Sequence, residues 1–183
     1  MKWEELETDR LILKKLTPET LVHLFENYAD AAIKKQLGLV DDEQLIKERT
    51  KSEGGYKTYD RTMLAFLLVL KSSNEVIGRA GYHNWYKDHR KAELGYALHR
   101  DEHKRKGYMT EAVGAILAYG FDTMNLNRVE ACVGPENIAS LSVIKKHKFI
   151  EEGFLRQHYI REGEIHDSII FSLLKEEYLK STE

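Results

Sequence analysis

The spacing of hydrophobic and polar residues divides the chain into extended and helical stretches. An apolar, β-prone run at 10–16 predicts a first strand, and Thr17 followed by Pro18 predicts a helix start directly after it. A second helix is predicted from about 41 to 52, with Gly54-Gly55 ending it. The remaining predicted elements are a hairpin of strands 63–71 and 75–87, a strand at 92–99, a helix at 108–123, a strand at 128–133, a helix at 135–147, and a hairpin of strands 150–160 and 165–174.

The middle of the chain predicts how the strands connect. Strand 92–99, helix 108–123 and strand 128–133 form a unit whose crossover is long enough to place both strands side by side and parallel, with a right-handed connection. The other strands follow short turns and are expected to pair antiparallel. The predicted fold class is α/β, a mixed and mostly antiparallel sheet around this central parallel unit, with helices on both faces. With 183 residues, two prolines and no internal repeat, residues 1–183 are expected to form a single domain.

Composition narrows the classes of partner. Hydrophobic residues make up 42% and charged residues 32%, as in ordinary soluble domains, and a net charge of −2 gives no reason to expect a nucleic acid or an anionic membrane as partner. The longest apolar run, 63–70, is far too short to cross a bilayer. Cys132 is the single cysteine, and the charged N-terminus has no apolar leader. We therefore expect a reduced, cytoplasmic protein.

Residues 99–103, HRDEH, allow two interpretations. His99, Glu102 and His103 have the H-x-x-E-H spacing of one group of zinc peptidases. Such a site needs both histidines on one face of a helix, whereas here His99 ends a predicted strand and the helical pattern begins only after Gly107. The alternative is a pair of solvent-facing loop histidines, and we expect no metal.

The residues that follow favour an anion site. Lys104, Arg105 and Lys106 stand before Gly107 and a predicted helix start, where unpaired backbone N–H groups and the helix dipole attract negative charge. Gly107 would let a ligand approach the backbone closely. Neither the Walker pattern nor the dinucleotide fingerprint is present, so a nucleoside triphosphate with magnesium is not indicated. The alternative is a solvated basic turn.

Residues 104–112, KRKGYMTEA, resemble the pyrophosphate loop of the GNAT acetyltransferases, written Q/R-x-x-G-x-G/A. Lys104 falls at the Q/R position, Gly107 at the glycine and Met109 at the final small position. The spacing is therefore retained, although methionine replaces a small residue.

A second segment strengthens the resemblance. Residues 137–149, NIASLSVIKKHKF, are similar to the N-x-x-S…G-F helix of the same superfamily, and the strand residues 92–96 and 126–130 match as well. The resemblance extends over about 10–174 and is greatest to the branch that acetylates N-terminal amines of ribosomal proteins. It implies the same α/β fold that the hydrophobic pattern predicts.

Three further positions depart from the family pattern. Arg105 stands where this branch usually has glycine, and Lys148 stands where a glycine usually precedes the phenylalanine. Ile144 occupies the position at which many members carry a tyrosine that protonates the leaving thiolate. The resemblance therefore leaves the general acid to be assigned.

The resemblance implies direct acyl transfer from acetyl-CoA to an amine. The backbone of Arg105–Thr110 would hold the pyrophosphate, and the free edge of Tyr96–Leu98 would hold the pantetheine arm, with an N–H near Leu98 facing the oxyanion. The residues expected to bind the cofactor are Tyr96, Ala97, Leu98, Lys104, Arg105, Lys106, Gly107, Tyr108, Met109, Thr110 and Asn137.

Two catalytic roles follow from the same resemblance. Glu93 is the expected general base, directly or through water; the alternative is an outward-facing carboxylate paired with Lys91 or Arg90. Ser140 is the expected proton donor to the thiolate, unless its hydroxyl bonds a backbone carbonyl. Asn137 would bond the cofactor arm, cap its helix, or do both.

The implied function is an acetyl-CoA-dependent N-acetyltransferase for a primary amine, in the first place a ribosomal-protein N-terminal α-amine. A small amine of polyamine or antibiotic type, a non-catalytic acetyl-CoA-binding module and a zinc hydrolase are the alternatives. Some residues would either line the acceptor groove or form strand surface and core: Tyr82, His83, Trp85, Tyr86, His166 and Asp167. The pair Trp85-Tyr86 is equally compatible with a homodimer contact.

Overall fold

A computed structural model describes residues 3–54 and 61–182. The strands are β1 Glu5–Glu7, β2 Leu11–Leu16, β3 Arg61–Leu70, β4 Val76–Tyr86, β5 Lys91–Leu98, β6 Arg128–Val133, β7 Ile150–Arg161 and β8 Glu164–Leu174. The α-helices are α1 Pro18–Asn27, α2 Asp30–Leu37, α3 Asp42–Gly54, α4 Tyr108–Ala118, α5 Ile138–Lys146 and α6 Lys175–Thr182. A 3₁₀ turn covers Asp101–His103, and a π-helical turn covers Tyr119–Thr123.

The described strands form one sheet in the order β1-β2-β3-β4-β5-β6-β8-β7, in which β5 and β6 are parallel and the other neighbouring pairs antiparallel. This confirms the predicted α/β class and the central parallel unit. The parallel pairing covers only Lys91–Glu93 with Arg128–Glu130. Beyond Glu93, β5 still pairs with β4 through Leu98, while β6 pairs with β8. The two strands therefore separate at their carboxyl ends.

Helices cover both faces of the sheet. One face buries a large apolar core under α4, with Phe66, Leu94 and Val113 among its members. The other face buries a smaller cluster under α1, α2 and α3, which includes Leu24 and Leu67. Because side chains alternate along a strand, each strand contributes to both layers, and residues between two core positions of β5 face the α1–α3 side.

Several helix boundaries differ from the predicted ones. The cap by Thr17 and the place of Pro18 at the first turn of α1 are confirmed. Helix α5 begins at Ile138 rather than at Pro135, because the chain first makes a turn and Asn137 then caps the helix. Within the predicted helix 108–123, the α-helix ends at Ala118, and a π-helical turn at Tyr119–Thr123 completes the range.

Three short elements were not predicted: β1, α2 and α6. Helix α2 has eight residues and only two buried apolar side chains, and β1 pairs three residues at the sheet edge, so both lack a long periodic pattern. The predicted stop at Gly54-Gly55 lies partly outside the described residues. Within the described ranges, no helix combines the length and apolar character required to cross a bilayer.

Candidate functional site

The loop after β5 leads into the N-terminus of α4, where the first N–H groups of the helix lack intrahelical partners. Gly107 is the N-cap, with φ at 81°, and its carbonyl accepts the N–H of Glu111 at 3.1 Å. The N–H groups of Tyr108–Thr110 precede that bond and have no intrahelical partner. Free N–H groups at a helix start are suited to bind an anion, and the helix start lies where the sequence predicts it.

A brace that the sequence did not reveal fixes this loop. The guanidinium of Arg10 donates through Nη1 to the carbonyl of Lys106 at 2.9 Å and through Nε to Glu111 Oε2 at 2.7 Å. The hydroxyl of Thr8 donates to Glu111 Oε1 at 2.6 Å. These partners hold the pKa of Glu111 below its usual value, although desolvation opposes them. About a hundred positions separate the two halves of the brace, so no local pattern could have indicated it.

The three basic residues of the loop do not contribute equally. Lys104 Nζ lies 2.5 Å from Asp101 Oδ1, so much of its charge is compensated. Arg105 and Lys106 are exposed and form no ion pair among the described residues. Arg105 also has φ at 59°, in the left-handed region that favours glycine. The family's usual glycine therefore suits the backbone better, while the arginine adds a free cation.

The two histidines of HRDEH do not converge. His99 follows β5 and lines the cavity described below, whereas His103 ends the 3₁₀ turn. His103 groups instead with Glu75 and Glu102, at 3.5 Å from each carboxylate. Arg100 Nη1 already lies 3.2 and 3.4 Å from the same two carboxylates and supplies positive charge there.

The expectation of two solvent-facing histidines was also wrong. His103 is only 6% exposed, and His99 is partly buried. Burial lowers the pKa of His99. The H-x-x-E-H spacing therefore reflects a strand end followed by a 3₁₀ turn, with no common helical face.

The gap between β5 and β6 lies beside the start of α5. The Tyr96 hydroxyl donates to the carbonyl of Ser140 at 3.3 Å, which links the free end of β5 to that helix. Asn137 Oδ1 accepts the N–H of Ser140 at 3.1 Å, so the predicted capping role is confirmed. Ile144 is fully buried in the core. Because isoleucine has no hydroxyl, this residue cannot be the proton donor to the leaving thiolate.

Glu93 lies on the α1–α3 face of β5, since its neighbours Ala92 and Leu94 point into the α4 core. Its Oε1 is 3.2 Å from His83 Nε2, and its Oε2 accepts from Asn84 Nδ2 at 2.9 Å. The hydrogen bond from His83, above all, holds the pKa of Glu93 below its ordinary value.

The alternative pairing of Glu93 with a neighbouring cation is wrong. Lys91 reaches Glu130 at 3.5 Å, and Arg90 bonds the backbone and side chain of Asn125. The carboxylate of Glu93 is thus committed to the imidazole of the adjacent strand, a partner that sequence spacing did not suggest.

A cavity of about 630 Å³ adjoins this pair on the α1–α3 face. One wall is Gly95–Ala97 of β5, the segment predicted to hold pantetheine, and His83 lies beside it. The opposite wall comes from α3, with Lys47, Glu48 and Lys51. The cavity therefore lies next to the predicted place of the cofactor arm.

The cavity wall contains a buried ion pair. Glu48 is 7% exposed, and its Oε2 lies 3.1 Å from Arg79 Nη1. Its Oε1 lies 2.9 Å from Lys51 Nζ. Although burial opposes it, these cations keep the pKa of Glu48 below its usual value. Two cations, Arg79 and Lys51, therefore compensate this carboxylate, and the described wall residues carry more positive than negative charge.

Of the other groove candidates, Tyr82 is among the cavity-lining residues, whereas Trp85, Tyr86, His166 and Asp167 are not. Tyr82 points into the α4 core, where its hydroxyl donates to Ile116 at 2.9 Å, and Trp85 packs partly against the same core. His166 stacks on Tyr159 in the β7–β8 hairpin. The Tyr86 ring makes cation–π contacts with Arg61 and Lys91. Asp167 accepts a hydrogen bond from the Gln157 N–H. Cys132 is partly buried, which raises its pKa to about 11 and makes it a poor nucleophile.

A single protein-family model covers the strands, the loop and the helix starts that form this site. Residues 10–150 match the model of an acetyltransferase (GNAT) domain. The chain belongs to the GNAT acetyltransferase family. The matched region contains the helix start braced by Arg10 and the separated ends of β5 and β6. This GNAT enzyme is an acyltransferase. GNAT enzymes use acetyl-CoA as the acetyl donor.

Relatives support the same assignment. An uncharacterized N-acetyltransferase, p20 of Bacillus licheniformis, is 34% identical over 176 residues, which cover 96% of this chain and 98% of p20. The putative ribosomal N-acetyltransferase YdaF of Bacillus subtilis is 37% identical over 55% of each chain. Among solved structures, the spermidine/spermine N-acetyltransferase SpeG of Vibrio cholerae has a TM-score of 0.70 at 22% identity, covering 96% of this chain and 100% of SpeG.

Proposed function

We propose that this GNAT enzyme transfers acetyl from acetyl-CoA to the N-terminal α-amine of a protein, in the first place a ribosomal protein. The observation that carries the choice of acceptor is the charge of the cavity. Lys47, Lys51 and Arg79 line it together with Glu48, and Lys47 also pairs with Glu43 at 2.6 Å, so the described lining and its direct partners carry three cations and two anions.

An excess of positive charge disfavours a polyamine. Spermidine carries several ammonium groups, and like charges brought together in a partly desolvated cavity repel. A peptide N-terminus brings a single ammonium group and several carbonyl oxygens that lysine and arginine can bind. Its α-amine has a pKa of about 7.7–8.0, against about 10.4 for an alkyl ammonium such as lysine, so deprotonation costs less.

The relative YdaF, named as a putative ribosomal N-acetyltransferase, supports the same acceptor over the half of the chain that it matches. The structural likeness to SpeG concerns the fold. The polyamine is therefore the competing outcome to be tested against the peptide.

Each part of the site has a proposed task. The N–H groups of Tyr108–Thr110 bind the pyrophosphate, with the free charges of Arg105 and Lys106 beside them. The unpaired edge of Tyr96–Leu98 binds the pantetheine arm, and the N–H near Leu98 faces the oxyanion. Asn137 contributes the rest of its amide to the arm, because its Oδ1 caps α5.

Two steps involve proton transfer. The amine loses its proton at Glu93 and the groups bonded to it, which lie beside the cavity. Ser140 gives a proton to the leaving thiolate, because Ile144 cannot. The role of Ser140 rests on its place at the start of α5, opposite the free end of β5.

A panel of three acceptors tests the acceptor class. The purified full chain is given acetyl-CoA and, at equal concentrations, a lysine-free peptide with a free N-terminus, an N-blocked peptide with one lysine, and spermidine. Thiol release gives kcat/KM, and product mass locates the acetyl group. We expect the free N-terminus to exceed the other two at least tenfold. A higher kcat/KM for spermidine would reject the peptide, and no product from any amine would reject the transferase activity.

A further inference from the structure

His83 stands between Glu93 and the cavity. It lies opposite Glu93 in the β4–β5 register, and both side chains occupy the α1–α3 face. The described lining of the cavity includes His83 and Gly95 but not Glu93. The imidazole side chain is about half exposed, whereas the Glu93 side chain is 23% exposed. A molecule in the cavity would therefore meet the imidazole first.

We propose that His83 is the catalytic base that takes the proton from the acceptor amine, and that Glu93 is a positioning residue that holds its ring. This assignment rests on the proposed function and names the base of that same site. Because Nε2 lies 3.2 Å from Glu93 Oε1, Nε2 carries the proton of the neutral ring and Nδ1 keeps the free electron pair.

The free nitrogen lies close to Gly95, a residue of the cavity wall. A Cβ placed on Gly95 would lie 3.0 Å from His83 Nδ1 and 2.9 Å from its Cε1. The ring edge that carries Nδ1 thus lies over a residue that lines the cavity, and a side chain at Gly95 would require the imidazole to shift. The described residues give Nδ1 no hydrogen-bond partner.

Glu93 is less suited to take the proton itself. One of its oxygens faces His83 and the other accepts from Asn84, so neither is directed to the cavity. Its pKa is held below the usual carboxyl value, which makes it a weaker base. His158 and Cys132 are the other titratable groups near this carboxylate. An imidazole, by contrast, is the side chain whose basicity suits proton transfer near neutral pH.

The acceptor ammonium gives one proton to Nδ1, and Glu93 stabilises the imidazolium that forms. The neutral amine attacks the thioester carbonyl, a C–N bond forms, and the C–S bond breaks. The second amine proton passes to the thiolate through the Ser140 hydroxyl, which leaves amide and CoA thiol. The imidazolium then returns the first proton to solvent, which the exposed half of the ring allows.

The first test removes the ring and returns it from solution. We expect His83→Ala to lower kcat/KM for the best acceptor by about 10²–10⁴-fold, the range of a lost general base, with acetyl-CoA affinity by calorimetry within twofold of wild type. Added imidazole should restore at least tenfold of the loss. His89→Ala changes an exposed histidine in the turn of the same hairpin and should leave kcat/KM unchanged. Turnover of His83→Ala within threefold of wild type would overturn the proposal.

The second test separates base from positioning residue. Glu93→Gln should cost less than His83→Ala, and the double variant should be no worse than His83→Ala alone, because the two residues act as a unit. Imidazole should rescue the double variant less well than His83→Ala, since nothing then orients the added ring. A Glu93→Gln loss as large as that of His83→Ala, with no imidazole rescue in either, would assign the proton to the carboxylate.

A third measurement does not depend on turnover. Nitrogen NMR of the wild-type ring should show the Nε2–H tautomer of His83, and Glu93→Gln should reduce that preference. A Nδ1–H tautomer in the wild type would overturn the assignment even if acetylation is observed. If no amine on the panel is acetylated, the proposed function fails on its own, and the tautomer still decides whether the pair is built as we infer.

Discussion

The two sides of the site are built in different ways. The cofactor loop, residues 104–111, is one continuous segment that offers backbone N–H groups at the start of α4. The cavity wall draws side chains from α3, β3, β4 and β5, which are far apart along the chain. A site made of consecutive backbone groups is visible in sequence because a strand, a glycine and a helix start must follow in order. A site made of side chains is defined only by how the strands pair.

The same contrast appears in how each side is held. The cofactor loop is fixed from outside by Arg10, whose guanidinium bonds the Lys106 carbonyl and the Glu111 carboxylate. The cavity wall is fixed by the Glu48–Arg79 pair, and both residues also line the surface that an acceptor would meet in the proposed function. Changes to the loop should therefore alter cofactor affinity, and changes to the wall should alter acceptor affinity.

The largest effect is expected on the cofactor side. Reversing both free charges, Arg105→Glu with Lys106→Glu, should weaken acetyl-CoA binding at least tenfold, equal to about 1.4 kcal/mol. The reason is that two attractive charges beside the phosphates become repulsive, and the loss should shrink at high salt because exposed charges are screened. Calorimetry at two salt concentrations measures both quantities.

A matched control makes the same charge change elsewhere. Lys35→Glu with Lys180→Glu alters two exposed lysines on α2 and α6 and should leave acetyl-CoA affinity within twofold. Equal losses in the two double variants would mean that overall charge, rather than the loop, governs binding.

A smaller effect is expected on the acceptor side. Glu48→Gln removes the single carboxylate of the described cavity lining and leaves Arg79 and Lys51 uncompensated. A cationic acceptor should then bind more weakly, with its KM raised about three- to tenfold and acetyl-CoA affinity unchanged. Glu53→Gln, which changes an exposed carboxylate of the same helix outside the described cavity lining, is the control. An unchanged acceptor KM, in a variant whose Tm shows that it is folded, would remove this wall from acceptor binding.

The fold and the free helix start of the cofactor loop could be predicted from the sequence, because both depend on the order of neighbouring segments along the chain. Sequence reasoning identified Glu93 as a strand carboxylate but could not place its face, because a shift of one residue in register reverses every side chain. The partnership with His83 depends on the β4–β5 register, and the brace on Arg10 depends on packing across about a hundred residues. The cavity cations were missed because α3 has no apolar stripe that would orient it.

The smallest effects are expected at the two positions where a charged residue replaces the family's usual glycine. Arg105 and Lys148 both have positive φ, at 59° and 61°, where a side chain is strained by about 1–2 kcal/mol. Lys148 follows the end of α5 and its exposed side chain makes no ion pair among the described residues. Lys148→Gly should therefore raise the free energy of unfolding by about 0.5–1 kcal/mol, the relieved strain less the added entropy of the unfolded chain. Acetyl-CoA affinity should not change.

Arg105→Gly should relieve the same backbone strain but lose a cation beside the phosphates. We expect a similar gain in unfolding free energy together with weaker acetyl-CoA binding, so stability and affinity move in opposite directions at this position alone. Denaturant titration and calorimetry of both variants measure the two quantities. Lys145→Gly, inside α5, is the control that should lose about 1 kcal/mol, because glycine there has no strain to relieve. If Arg105→Gly bound acetyl-CoA as well as wild type, the arginine would be a tolerated replacement for glycine with no part in cofactor binding.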